Sequence, residues 1–262
     1  MFQKIKLVFL VILFSCSSGL NESVNHEQTI DTEKLDFVVA LEQAHKTLEF
    51  KNKELISFDI LLYFGGNERL NSRITLSTDS RMGRFENSNG DLLIFKDGEV
   101  YYSDSFGPDE KARFAAYTWS YFFLLPYKVT DPGTIWSDYL DNSPLAKKSN
   151  AKKLTFEEGI GDAPDDWYII YSDKPSGLMD VAAYIVTAGA SIEEAEKDPH
   201  AIEYENYHMV EGIPIAKNWT FWSWRETEGL VDTLGWAELN DFRFSSMDEA
   251  LFSTEGLNKS MD

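Results

Sequence analysis

The sequence predicts an α+β fold in which a large curved antiparallel sheet carries its helices on one face only. Three features lead to this prediction: an amphipathic helix opens the folded part, strands follow in meander order, and an almost wholly apolar helix precedes a long run of further strands. We predict a leader segment over residues 1–15, a flexible tether over 16–34, and a single domain over 35–262. No linker, charge block or fixed-period repeat divides that domain.

The first residues have the pattern of a bacterial export signal. Lys4 and Lys6 form a positive n-region, and residues 7–14 (LVFLVILF) are an apolar run too short to span a bilayer. Residues 13–16 (LFSC) resemble the lipobox of bacterial lipoproteins, in which the cysteine is acylated and becomes the new N-terminus. Cys16 is also the only cysteine, so the folded part has neither a disulfide nor a catalytic thiol. An ordinary signal peptide followed by a chance cysteine is the alternative.

Residues 20–34 are polar and lack a hydrophobic period, which is typical of a tether. Ser17 and Ser18 follow the cysteine without an acidic residue, which favours the outer membrane. Several acyl chains, at about 0.8 kcal/mol per buried CH₂, would hold the protein firmly. We therefore expect a lipid-anchored protein of the cell envelope that faces the periplasm.

Charge excludes some partners. Loss of the signal peptide removes two of 24 basic residues and none of 44 acidic ones, so the formal net charge falls from −20 to −22. Such a field repels nucleic acids and anionic head groups at long range. We expect the membrane to be a partner through the lipid anchor, together with a lipid or a lipidated protein, and we expect no nucleic acid.

The domain begins with a helix and a strand. Apolar residues recur every three or four positions from Leu35 to Leu48, which is typical of a helix with one buried stripe. Strict alternation predicts a strand over 56–64, and Gly65-Gly66-Asn67 ends it. The alternation resumes over 73–78.

A hairpin and a second helix follow. Strands over 92–95 and 100–102 flank Lys96-Asp97-Gly98-Glu99, whose Asp-Gly pair suits the positive φ values of a tight turn. A helix is predicted from Pro108, with two acids in its first turn, to Leu125, where Pro126 stops it. Its second half, residues 117–125 (YTWSYFFLL), is apolar nearly all round, so it is covered on several sides or lines a cavity.

The remaining chain is rich in strands. A short helix over 191–197 interrupts them, and Ser191 and Glu194 match a capping box. The strands are predicted over 153–156, 167–171, 181–186, 201–210, 215–224 and 241–244.

The element order, the lipobox, and the segments 81–102 (RMGRFENSNGDLLIFKDGEVYY) and 211–219 (EGIPIAKNW) resemble the LolA/LolB-like superfamily of periplasmic lipoprotein-handling proteins. The sequence also resembles uncharacterised lipoproteins of Bacteroidota. The resemblance covers roughly residues 35–246 and implies an incomplete β-barrel closed by helices over an apolar cavity. An anchored chain cannot shuttle across the periplasm, so an anchored acceptor, or another ligand binder on the same fold, fits better than the soluble carrier. No functional residue carries over to a single position.

The sequence lacks recognisable catalytic motifs. His45, His200 and His208 are scattered without zinc-ligand spacing, and no G-x-S-x-G, Walker or dinucleotide motif occurs. The acid pairs at 157–158 and 165–166 could serve glycoside hydrolysis, but they flank a Gly/Pro-rich stretch and favour a solvated loop. We therefore predict no enzyme, no cofactor and no metal; a hydrolase of envelope material is kept only as a third alternative.

Aromatic residues are in excess, at 14% of the chain. Alternation places Trp222 and Trp224 on one face of their strand, with Trp219 and Phe221 on the other. Eight side chains are candidates for lining a pocket for an acyl chain, and plain core packing is the alternative for each. They are Phe58, Ile60, Tyr117, Trp119, Phe122, Phe123, Trp222 and Trp224. The expected function is a non-catalytic, membrane-anchored binder of a lipid or a lipoprotein acyl chain; the alternative is a scaffold lipoprotein with no small-molecule ligand.

Overall fold

The N-terminal helix breaks early, and this sets which side chains face the core. The computed structural model describes residues 32–159, 163 and 165–261, so the predicted signal peptide, Cys16 and the tether up to residue 31 lie outside the described residues. Helix α1 spans Thr32–His45 and α2 spans Thr47–Lys51, separated by Lys46 at φ 55°. This left-handed residue rotates the second segment, so Thr47 and Phe50 are buried while Leu48, predicted to continue the buried stripe, is 72% exposed.

Two further helices match their predicted positions. Helix α3 spans Asp109–Leu124, with Pro108 as its N-cap, and a 3-10 turn over Leu125–Tyr127 follows it. Helix α4 spans Ile192–Ala195, and the Ser191 hydroxyl accepts a hydrogen bond from the backbone N–H of Glu194, as the capping pattern predicts. No helix in the described part of the chain is long and apolar enough to cross a membrane.

Thirteen strands in the described residues form a single antiparallel sheet. The sequence did not predict the strand over 82–87 or the two short edge strands over 134–138 and 258–259. The strand over 229–245 is far longer than its predicted four residues. The strands are β1 Leu55–Phe64, β2 Asn67–Ser77, β3 Met82–Asn87, β4 Leu92–Lys96, β5 Glu99–Tyr102, β6 Thr134–Asp138, β7 Ser149–Phe156, β8 Tyr168–Asp173, β9 Met179–Tyr184, β10 His200–Val210, β11 Ile213–Arg225, β12 Gly229–Ser245 and β13 Asn258–Lys259.

The order across the sheet is β13-β5-β4-β3-β2-β1-β12-β11-β10-β9-β8-β7-β6. The chain therefore builds two meanders, and the pairing of β1 with β12 joins them at the centre. Since β13 and β6 are opposite edges, the curved sheet is not closed. The predicted β4–β5 hairpin is confirmed, with Asp97 at φ 52° and Gly98 at φ 87°, both positive as a type I′ turn requires.

The main core lies between the inner face of the sheet and helices α1, α2 and α3. Leu41 of α1, Phe50 of α2 and Phe123 of α3 belong to the same buried cluster as the inward side chains of β1 and β2. Along each strand, alternate residues point into this cluster, as the pleat requires. The predicted fold class, α+β with a large curved antiparallel sheet and helices on one face, is confirmed.

The outer face carries two smaller apolar clusters under short covers. Phe252, on a 3-10 turn, packs with Leu55 and Ile94 at the β3–β5 end. At the other end, Tyr171 and Trp224 pack beneath the segment that contains another 3-10 turn, over Pro144–Lys147. Between the two clusters the outer face is mostly polar, but it also carries Tyr63 and Trp236.

Candidate functional site: a gap between two strands

Strands β11 and β12 separate in the middle of the sheet. Their register runs from the Arg225–Gly229 pair to the Asn218–Glu238 pair and is not continued beyond it. Past that point β11 remains paired with β10, and β12 remains paired with β1. Asp241 has φ 50°, and the register between β1 and β12 shifts between Ser57 and Asp59, as expected for a bulge that bends the strand away. We call this opening the strand gap.

The strand gap contains an open cavity of about 420 Å³. This volume lies within the range of about 300–1,000 Å³ that is usual for small-molecule sites. One wall comes from the end of β10, its turn into β11 and Lys217 of β11, and the other comes from the bulged part of β12. Its lining residues are His208, Met209, Val210, Glu211, Lys217, Asn240, Asp241 and Phe242.

The cavity has a polar rim and an apolar inner wall. Val210 and Phe242 pack against the main core, whereas the other lining residues are mostly charged or amide-bearing. From Phe242, ring contacts continue inward to Phe58, with centroids 5.9 Å apart, and from there to Phe123 on α3, with centroids 4.2 Å apart. An aromatic path therefore leads from the strand gap to the apolar half of α3.

The interior behind the gap is closely packed. A void of about 10 Å³, room for about one water molecule, lies between the end of α3 and strands β10 and β11. It is lined by Phe123, Pro126, Tyr127, Tyr204, Tyr207, Ile215, Ala216 and Trp219. Any ligand that reaches this depth must displace side chains.

His45 supports the wall of this void. It is fully buried, its ring lies edge-on to Tyr127 and Tyr207, and its Nε2 accepts a hydrogen bond from the Met179 N–H at 2.9 Å. Burial lowers the pKa of His45 from its ordinary 6.5 to about 3, because the charged form would lose its hydration. The imidazole is therefore neutral near pH 7 and holds α1 against β9.

Ion pairs connect the acidic rim residues to neighbouring elements. Lys53, just after α2, lies 2.6 Å from Glu211 at the β10–β11 turn, and Arg73 of β2 lies 2.8 Å from Asp241. Within the described chain, Lys217 makes no ion pair. Nor does any group of three or more His, Cys, Asp and Glu side chains among the described residues have an arrangement that could hold a metal.

The structure brings most of the predicted pocket residues together in the core. Five of them, Phe58, Ile60, Trp119, Phe122 and Phe123, are at most 7% exposed and belong to the main core.

The other three predicted residues lie elsewhere. Tyr117 packs at the edge of the main core, and its hydroxyl donates to the Gly98 carbonyl at 3.0 Å. Trp222 and Trp224 lie in the outer cluster, opposite Trp219 and Phe221, as the predicted alternation requires. The structure therefore does not join these two tryptophans to the other six.

The residues of the strand gap were missed at the sequence level because the gap is formed by strands that are distant in sequence. One signal was present. Proline within a strand is confined to edges and bulges, since it has no N–H to donate to a neighbouring strand. Pro214 in β11, paired with Met209 on its β10 side, marks the stretch where β11 has no partner on the other side.

Comparison with known families gives a partial match. The family of unknown function DUF6503 matches residues 101–225, just under half of the chain. That segment runs from β5 to the end of β11 and contains α3 and the β10–β11 wall of the strand gap. No curated protein sequence matches the chain.

Solved structures share the fold. A DUF1329 family protein from Desulfovibrio piger aligns with a TM-score of 0.50 at 12% identity, over 84% of this chain and 98% of that one. A LolA superfamily protein from Nitrosomonas europaea gives 0.48 at 9% identity, over 80% and 97%. A domain assigned to outer-membrane lipoprotein sorting from Vibrio parahaemolyticus gives 0.45 at 10%, over 81% and 97%. At these identities the likeness concerns the fold alone.

Proposed function

We propose that this protein is a non-catalytic, lipid-anchored envelope protein that binds an amphiphile through the strand gap. The observation that carries the proposal is the two-sided chemistry of that cavity, in which charged and amide side chains form the rim while Val210 and Phe242 form the inner wall. A molecule with a polar head and an apolar chain matches both parts. The resemblance to LolA/LolB-like proteins noted in the sequence implies an apolar ligand of the same kind.

The energetic case rests on the apolar wall. Each methylene transferred from water to this wall gains about 0.8 kcal/mol, so an eight-carbon segment gains about 6 kcal/mol before the costs of association. In this proposal the chain first covers Phe242 and then reaches Phe58 and Phe123 as the ring contacts between them open. The other core residues of the predicted pocket, Ile60, Trp119 and Phe122, would be reached only by longer chains.

Anchoring through Cys16 is part of the proposal and has its own test. The full chain is produced in a bacterial host fed an alkyne-bearing fatty acid, and incorporation is read after coupling to a fluorophore. We expect labelling of the natural chain and of Ser17→Ala, and none of Cys16→Ala. Labelling that persists in Cys16→Ala would refute the anchor while leaving the binding proposal standing.

One observation favours a second candidate, a scaffold protein without a small-molecule ligand. On the polar outer face, Trp236 is 42% exposed and stacks on Tyr63 with ring centroids 5.0 Å apart. Together with the closely packed interior, this partly exposed aromatic pair would suit a protein partner.

Native mass spectrometry with lipid extraction separates the two candidates. The full chain from a bacterial envelope is compared with Val210→Trp, which fills the inner wall of the gap, and with the control Val39→Trp, on the exposed face of α1. Amphiphile binding predicts a co-purified apolar molecule in the natural chain and in Val39→Trp, and its loss in Val210→Trp. An empty natural chain, or equal occupancy in all three proteins, would contradict the proposal and favour the scaffold.

A further inference from the structure

Some charged side chains around the strand gap are in ion pairs and another is not, and this difference indicates which head group the ligand carries. The Glu211 carboxylate lies 2.6 Å from the Lys53 ammonium, outside the cavity lining. The Asp241 carboxylate lies 2.8 Å from Arg73, which also contacts Asp59 at 3.0 Å. Both acidic residues of the cavity lining are therefore occupied by cations from neighbouring elements.

Lys217 is different. It is half-buried on β11, it lines the cavity, and no carboxylate of the described chain lies within 4.0 Å of its ammonium group. His208, also in the lining, adds ring nitrogens that can hydrogen-bond, and in the described residues it makes no ion pair either. Lys217 is therefore the lysine of the cavity lining, and none of the described carboxylates neutralises it by an ion pair.

We infer that the strand gap takes an anionic amphiphile, whose carboxylate or phosphate head group lies against Lys217 and His208 and whose chain lies against Val210 and Phe242. This inference rests on the proposed function and names the ligand class of the same site. A charge-assisted hydrogen bond from the ammonium is about twice as strong as a neutral one, and the partly enclosed cavity screens it less than open solvent does. A cationic head group would be repelled by the Lys217 ammonium group, and Glu211 and Asp241 are already in ion pairs with other residues.

Four ligands with the same twelve-carbon chain test the head group. Dodecanoate, dodecyl phosphate, dodecyl maltoside and dodecyltrimethylammonium are titrated below their micellar concentrations into the full chain carrying Cys16→Ala, so that no acyl chain of its own competes. Calorimetry measures each dissociation constant. We expect the two anions to bind about tenfold more tightly than the neutral ligand, and the cation to bind most weakly. The two anions report separately on a fatty-acid and a phosphate-bearing source.

Two lysine variants locate the preference. Lys217→Gln should weaken binding of both anions about tenfold and leave dodecyl maltoside affinity unchanged, which also shows that the site is intact. Lys96→Gln is the matched control, because Lys96 is likewise half-buried on a strand, on β4 away from the gap, and it should keep the full preference.

The outcomes separate the two claims. Equal affinity for all head groups, or an anion preference that survives Lys217→Gln, would overturn the inference and leave amphiphile binding intact. If none of the four ligands binds, both the inference and the proposed function fail.

Discussion

Acid should destabilise this protein through His45. The folded state holds the imidazole neutral, with a pKa of about 3, whereas the unfolded chain binds a proton near pH 6.5. Because the folded-state pKa is the lower one, the contribution of His45 is fully present above pH 6.5 and is lost as the pH falls towards 3. The loss in the free energy of unfolding is about 2 kcal/mol at pH 5 and approaches about 5 kcal/mol near pH 3.

The geometry explains the size of this effect. Protonation of Nε2 would break its hydrogen bond from the Met179 N–H and place a cation between the rings of Tyr127 and Tyr207. Within the described residues, Nδ1 is buried and has no hydrogen-bond partner. Burial is the cause that lowers the pKa of His45, and no carboxylate among the described residues offsets the cost of burying the charge.

Urea unfolding at pH 8 and pH 5, followed by tryptophan fluorescence, measures the effect. The natural chain and the exposed-residue control His208→Gln should lose about 2 kcal/mol more between the two pH values than His45→Gln, whose amide oxygen can still accept from Met179. An equal loss in His45→Gln would refute the reasoning. The NMR shift of the His45 ring gives an independent check, since it should not change between pH 8 and pH 5 in the folded protein.

Two further predictions concern stability. The Ser120 hydroxyl on α3 is buried without a hydrogen-bond partner in the described chain, so Ser120→Ala should raise the free energy of unfolding by up to about 1 kcal/mol; a loss in urea unfolding would contradict this. A Cβ at Gly235 would lie 2.2 Å from the Tyr63 carbonyl oxygen, so Gly235→Ala should cost about 3 kcal/mol or more. Gly66→Ala, at φ +74° with open space around it, should cost only about 1 kcal/mol, and equal costs would argue against the close-approach explanation.

The parts of the fold that depend on local chemistry could be predicted from the sequence. The Asp97-Gly98 turn needs two residues that tolerate positive φ, and α3 needs a proline near its start and an apolar face. Each of these two features depends only on a few adjacent residues. Local patterns also placed Phe58 and Phe123 among the same candidate residues, and the structure brings their rings into contact within the main core.

The parts that depend on distant pairing could not be predicted. Strand β12 was expected only over 241–244, because Asp232, Glu238 and Gly235 interrupt any simple apolar alternation. The outward residues of β12 are mostly polar, and β1 approaches Gly235 too closely for a larger residue. A local sequence pattern shows neither of these two facts. The strand gap is invisible for the same reason, since it exists only where β11 and β12 stop pairing.

The central pairing of β1 with β12 determines when the sheet can be completed during synthesis. Strand β1 pairs on one side with β12, so Leu55 contacts Ser245 and the two meanders join only through residues near the C-terminal end. Pairings of such high sequence separation are slow to form, because the loop must close before the contacts stabilise it. A chain still leaving the ribosome therefore lacks β12, the strand that joins the two halves of the sheet. The complete sheet cannot form until nearly all of the chain has emerged.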